Sequence, residues 1–301
     1  MLDLLKAVVP VSVRKPIRRA VDFAYRKTTR SRTAHAWLCD VRDAFDWVLG
    51  RSDPLVPPRR LVYGIGGELR HGDHIVGWLR DLAGLRPDEA VLDVGCGVGR
   101  VALPLTKYLS AAGRYDGFDI IRENVGWCRR TITPRFPNFR FRHADVFNRE
   151  YNPRGKLRGD QFKFPYPDGS FDLAFLTSVF THLTPPDAAH YLREVGRVLR
   201  PGGRCLATFF LLNAESNALV DTGQGAFTLE PAEGSSRVHS RQVPETCIAL
   251  NEGFVEGSVR AAGLTADRPV RYGWWCGRRP AFDFQDILIL KRSTDYADST
   301  D

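Results

Sequence analysis

No stretch of this 301-residue chain approaches the ~18 consecutive apolar residues that a membrane-crossing helix needs. The order of a secretory signal is missing too. Residues 2–13 are apolar but carry Asp3 and Lys6, and the basic cluster follows that run instead of preceding it. The six cysteines (Cys39, Cys96, Cys128, Cys205, Cys247 and Cys276) never fall as C-x-x-C, which argues against a zinc ribbon or a disulfide framework and for reduced, buried thiols. No histidines, cysteines and carboxylates stand at metal-ligand spacing, so no metal is expected. Internal repeats and low-complexity tracts are absent. The expectation is a cytoplasmic protein, with peripheral attachment at the inner face of a membrane as the alternative. At 43 % hydrophobic and 26 % charged residues, the chain can bury a sizeable core.

Charge is unevenly spread. Residues 1–60 hold 13 Lys/Arg against 6 Asp/Glu, a net +7, whereas the remainder holds 30 against 29. A neutral body argues against general nucleic-acid binding. Within the basic region, residues 14–32 carry eight Lys/Arg and one acid, Asp22, beside an apolar stripe of Ile17, Ala20, Val21 and Ala24. That pattern fits a helix lying on an anionic membrane surface, a solvated helix packed on the domain, or an RNA-binding arm. A second helix is expected over 34–49, ending at Gly50, and Pro54, Pro57 and Pro58 mark a linker.

From residue 61 the pattern alternates. Short apolar strands are expected at 90–94, 115–119, 139–143, 171–176 and 204–210, with helices at 98–109, 123–131 and 186–199. Strand and helix in alternation predict a parallel sheet covered on both faces. A helix at 252–262, capped by Gly263, precedes two further strands at 265–272 and 285–291. With no helix between them, those two pair antiparallel. The organisation is thus a basic helical extension (1–60), an α/β body (61–292) and a frayed polar tail (293–301).

The strongest motif is Val91-Leu92-Asp93-Val94-Gly95-Cys96-Gly97-Val98-Gly99-Arg100, an apolar strand running into a G-x-G-x-G turn that opens a helix. Such glycines permit a tight turn and a close backbone approach to a ligand. Asp119 ends the next strand, where a carboxylate can bond a ribose diol, and Asp145 ends the third, where one can meet an adenine amino group. Open α/β sheets bind ligands at that edge.

These residues resemble the class I S-adenosylmethionine-dependent methyltransferases, of the small-molecule kind. G-x-G-x-G differs from the G-x-G-x-x-G of nicotinamide dehydrogenases. Residues 164–183, FPYPDGSFDLAFLTSVFTHL, look like that family's fourth strand with its preceding loop, and residues 193–210, REVGRVLRPGGRCLATFF, like its helix, turn and fifth strand. The resemblance implies a Rossmann-like, doubly wound, seven-stranded sheet with a reversed last strand. It implies S-adenosylmethionine as cofactor and S-adenosylhomocysteine as product. Asp93, Gly95, Gly97 and Gly99 then belong to the turn at the methionine end. Asp119 and Ile120 belong at the ribose, Asp145 and Val146 at the adenine, and Thr177 and Ser178 beneath the sulfonium.

A hydroxyl acceptor needs a base, and His182, just after the fourth strand, is the candidate. A histidine that merely packs the loop is the competing reading. The motif [DNS]-P-P-[YFW] of amino-group methyltransferases is absent, Thr177-Ser178-Val179-Phe180 standing in its place. On the acceptor side, His71 and His74 precede the first strand. The long insertion 213–251 reads as a substrate lid offering Phe227, His239, Arg241 and Glu245. Trp274 and Trp275 with Arg278 and Arg279 form an aromatic and basic loop suited to a sugar ring or an anionic acceptor, although a core role fits at least one tryptophan. The expected activity is O-methylation of a sugar, glycan or other small metabolite. An RNA methyltransferase gripping phosphates with the basic arm and a non-catalytic cofactor-binding module are the rivals.

Overall fold

A computed structural model describes residues 32–62, 71–232 and 236–294, excepting the side chains of residues 32–35 and 71. The basic stripe therefore lies outside the described residues but for the backbone at Arg32. Helix α1 (Arg32–Val48) and the short α2 (Arg59–Val62) precede α3 (His71–Asp81). The body then alternates: β1 (Ala90–Val94), α4 (Ala102–Tyr108), β2 (Arg114–Asp119), α5 (Arg122–Thr131), β3 (Phe139–His143), β4 (Phe171–Leu176), α6 (Pro185–Val198) and β5 (Leu199–Phe209). After β6 (Leu211–Leu212) come α7 (Ala214–Asp221), β7 (Glu230–Pro231), β8 (Ser236–Val238), β9 (Ile248–Asn251), α8 (Glu252–Ala261), β10 (Leu264–Ala266) and β11 (Asp286–Arg292).

The main sheet has the order β10-β11-β5-β4-β1-β2-β3. Strands β1 to β5 pair in parallel, and β11 runs antiparallel to both β5 and β10, as the last two strands were expected to do. Alternate side chains face opposite sides, as the pleat requires. Val91, Tyr115, Leu173, Phe175 and Ile287 pack against Ile75 and Leu79 of α3, Leu105 of α4 and Val125 of α5. Leu92, Val94, Ala174, Leu176 and Leu290 pack against Tyr191 and Val195 of α6 and Val255 and Val259 of α8.

Segment 213–251 is built rather than loop-like. It contributes α7 and, with β6, a second sheet of order β6-β9-β8-β7. Leu212, Leu229, Cys247 and Ala249 form a third apolar cluster there with Phe210, Trp275 and Cys276. Three of the predicted elements have bounds that differ from the sequence reading for a clear physical reason. Helix α4 starts at Ala102, because Gly97 and Gly99 hold left-handed backbone and the chain is still turning before it. Strand β5 starts at Leu199, which pairs with Phe171 while Arg204 pairs with Leu173, so the Pro201-Gly202-Gly203 turn bulges out of a continuing strand. Strand β10 stops at Ala266, near Pro269, which has no N–H to donate to a ladder. Among the described residues no helix is long and apolar enough to cross a membrane.

Candidate active site

At the C-terminal edge of the sheet, β1 runs into a turn whose glycines take left-handed backbone: φ is +80° at Gly95, +53° at Gly97 and +71° at Gly99. A Cβ at Gly95 would lie 2.6 Å from Val179 Cγ2, so the turn and the chain leaving β4 approach as closely as glycine allows. Gly97 N donates to Asp119 Oδ2 at 2.8 Å, and Ile121 N donates to Oδ1 at 2.7 Å. The carboxylate at the end of β2 thus clasps the glycine turn. At the end of β4, Ser178 takes φ +60°, a strained value for a residue with a side chain. Its N–H donates to Thr208 Oγ1 at 2.8 Å, and its hydroxyl donates to Gln285 Oε1 at 3.3 Å.

Between these ends opens a cleft of about 980 Å³, counting its mouth. Asp93, Gly95, Gly97, Asp119, Ile120, Thr177, Ser178 and His182 all line it. Gly99, Asp145 and Val146 do not. Gly99 faces away, where a Cβ would meet Ile132 Cδ1 at 2.7 Å, and so serves helix packing. After β3 the chain doubles back, with Val146 bridged to Leu157 and Asn152 Nδ2 donating to the Val146 carbonyl at 2.9 Å. This presents Asn148 and Tyr151 to the cleft in place of Asp145 and Val146. Asn148, Tyr151 and Arg100 are among the lining residues that sequence reasoning did not assign to the site. For Arg100, the position directly after the third glycine was the available signal.

Burial governs the charges. It pushes the Asp93 carboxyl up to about 7, although Tyr115 Oη donates to Asp93 Oδ2 at 2.6 Å. It also raises Asp119 against the pull of the amides that bond it. Arg100, lowered by burial and steadied by Asp93, has no ion-pair or hydrogen-bond partner among the described residues. His182 closes a 3₁₀ turn, Phe180–His182. Its Nδ1 lies 2.8 Å from the Glu245 carbonyl, which can only accept, so Nδ1 carries the proton and Nε2 the lone pair. Burial holds the imidazolium form below its usual range. Tyr151 Oη stands 3.4 Å from Nε2.

Residues 92–207 match the family model described as a methyltransferase domain. The PH0226 protein from Pyrococcus horikoshii OT3 shares the fold, with a TM-score of 0.50 over 74 % of this chain and 90 % of that one at 17 % identity. Residues 92–207 form a methyltransferase domain. The 27-O-demethylrifamycin SV methyltransferase of Amycolatopsis mediterranei is 30 % identical over 151 residues, 47 % of this chain and 48 % of that protein. A fatty-acid O-methyltransferase of Mycolicibacterium smegmatis is 36 % identical over 120 residues, 40 % of this chain and 36 % of that one. The chain spans less than half the length of these relatives.

The cleft has groups suited to the ribose and amino-acid parts of S-adenosylmethionine. Asp119 offers a fixed carboxylate to a diol, Ile120 an apolar wall, and the acidic Asp93 with the basic Arg100 an end suited to an amino acid. The acceptor-side residues divide. Trp275 is wholly buried, its Nε1 donating to Asp286 Oδ2 at 2.7 Å, and Arg278 is 5 % exposed, bonded to Glu215 and stacked on Tyr272. Both are thus core residues of the domain. Trp274 is 40 % exposed, with Arg279 over its ring. His74 is exposed, 3.1 Å from Asp283 and edge-on to Trp78, and His239 is exposed with Nδ1 donating to the Thr228 carbonyl at 3.0 Å. The side chain of His71 lies outside the described residues. No group of potential metal ligands forms among the described residues.

Proposed function

We propose that this chain transfers a methyl group from S-adenosylmethionine to a hydroxyl of a small metabolite, sugar or glycan, with His182 as the general base. The observation that carries this reading is the cleft-lining imidazole whose Nδ1–H is committed to the Glu245 carbonyl and whose Nε2 keeps its lone pair. The sulfonium supplies an activated methyl group, so the protein's work is alignment and removal of the hydroxyl proton. Asp119 binds the ribose, Thr177 and Ser178 floor the reacting end, and Asp93 with Arg100 receives the amino acid. On the adenine side, Asn148 and Tyr151 line the cleft where Asp145 and Val146 were expected. Two relatives bear names specifying oxygen acceptors, while another is a sterol 24-C-methyltransferase, so the choice of oxygen rests on His182. The exposed Trp274 and Arg279, with His74 and His239, are the candidate acceptor contacts, although none of them lines the cleft itself.

His182→Gln tests the assignment. With labelled methyl donor and a panel of hydroxylated acceptors, turnover should fall by about 10²–10⁴-fold while affinity for S-adenosylhomocysteine holds within twofold. Undiminished turnover would remove His182 as base. Residues 14–32 supply contact with an anionic membrane surface, in keeping with a cytoplasmic protein held at a membrane's inner face. Deleting residues 1–31 should abolish co-sedimentation with anionic vesicles and leave cofactor affinity intact. Equal sedimentation after truncation would end the membrane reading.

A further inference from the structure

His182 is gripped on both ring nitrogens by segments remote in sequence. On one side, the 3₁₀ turn Pro244–Thr246 delivers the Glu245 carbonyl to Nδ1 at 2.8 Å. That turn is tied down in its own right, since Arg149 Nη1 donates to the Gln242 carbonyl at 2.9 Å and Arg149 N to Glu245 Oε1 at 3.4 Å. On the other side, Tyr151 sets its ring edge-on to the imidazole, centroids 5.1 Å apart, with its hydroxyl 3.4 Å from Nε2. Asn148 fixes this side: its Oδ1 accepts from Tyr151 N at 3.0 Å and from Glu150 N at 3.1 Å, while its Nδ2 donates to the His182 carbonyl at 3.1 Å. One buried asparagine therefore binds the backbone of both rings.

We propose that Tyr151 is the positioning residue of the base, its hydroxyl and the Glu245 carbonyl clamping His182 as the Nδ1–H tautomer and keeping the Nε2 lone pair free of a proton until an acceptor hydroxyl takes the place of the phenol. The inference rests on the reading of His182 as base. Nε2 cannot donate to the phenol while Nδ1 donates to the carbonyl in a neutral ring, so the phenol is the donor and Nε2 the acceptor. The phenol stays protonated through the working range, burial pushing it up to about 12, and so holds the ring without competing as a base. At 3.4 Å the phenol holds Nε2 loosely, and an acceptor hydroxyl arriving there displaces it, because the nitrogen has one lone pair. Of the charged groups facing the pair, Glu150 favours the imidazolium and the protonated phenol, and Asp119 also favours the protonated phenol.

The test is ¹⁵N NMR of the histidine side chains in the full chain saturated with S-adenosylhomocysteine, His182 being assigned by difference with His182→Gln. Wild type should show His182 protonated at Nδ1, the less common tautomer of an unconstrained side chain. Tyr151→Phe keeps the ring and removes the hydroxyl. It should raise the His182 pKa by about half to one unit and admit the Nε2–H tautomer, with S-adenosylhomocysteine affinity within twofold of wild type. Uniform 3-fluorotyrosine labelling, which makes the phenol a stronger donor, should move the pKa downward and serves if the variant does not fold. An Nε2–H tautomer in wild type, or a His182 resonance unmoved in both altered proteins, would overturn the proposal. So would a Tyr151→Phe protein that loses cofactor affinity, since Tyr151 would then be a wall of the cofactor site. Failure of wild type to bind S-adenosylhomocysteine at all would strike the methyltransferase reading itself.

Discussion

The chemistry of this cleft is decided by a few side chains whose charge is set by burial. Asp93 is the clearest case. Desolvation pushes its carboxyl up to about 7, so near neutrality the protein alone holds it partly protonated. A ligand ammonium beside it favours the ionised form, so binding below that pH must expel a proton. Affinity for S-adenosylhomocysteine should therefore strengthen as pH rises between about 6 and 7 and level off above. Asp93→Asn should flatten that dependence in calorimetric titrations across the same range. Arg100 is the complementary case. Arg100→Met should weaken S-adenosylhomocysteine by about tenfold or more yet leave 5′-methylthioadenosine, which lacks the amino-acid end, unchanged. Equal loss for both ligands would assign Arg100 to general packing.

Among the elements, the paired strands and the insertion brace the site from behind. Asp286, wholly buried at the start of β11, accepts from Leu211 N, Gly273 N and Trp275 Nε1, each at 2.7 Å. It thereby joins the second sheet, the 272–285 loop and β11, next to the Gln285 that receives Ser178. Asp286→Ala leaves three buried donors without an acceptor and should cost about 3 kcal/mol or more in urea unfolding. A loss under about 1 kcal/mol would contradict the brace. These braces also mark where sequence reading stops. Strands such as Ala90–Val94 and Phe171–Leu176 were legible to the residue because a fully buried parallel strand is a short apolar run between turn signals. The glycine turn was legible because left-handed backbone favours glycine, and Asp119 because a carboxylate ends the strand that follows that turn. Helix α3 and the second sheet were not, since their short, mixed runs acquire an apolar face only against partners far along the chain. Tyr151 and Asn148 were hidden for the same reason: only the fold-back after β3 brings them to His182.

For the molecule as a whole, one sheet edge gathers the carboxylate of β2, the glycine turn of β1, the strained end of β4 and a braced imidazole around a single cleft. The membrane reading rests on residues 14–32 and the catalytic reading on the cleft, so the two are tested separately. The most direct test of the central reading is calorimetric titration of the full chain with S-adenosylhomocysteine, beside Asp119→Ala. The predicted result is binding to one site with an affinity on the order of micromolar, weakened by about tenfold or more in the variant. A folded sample that takes up no ligand, or a variant that binds as well as wild type, would contradict the assignment of this cleft to the cofactor.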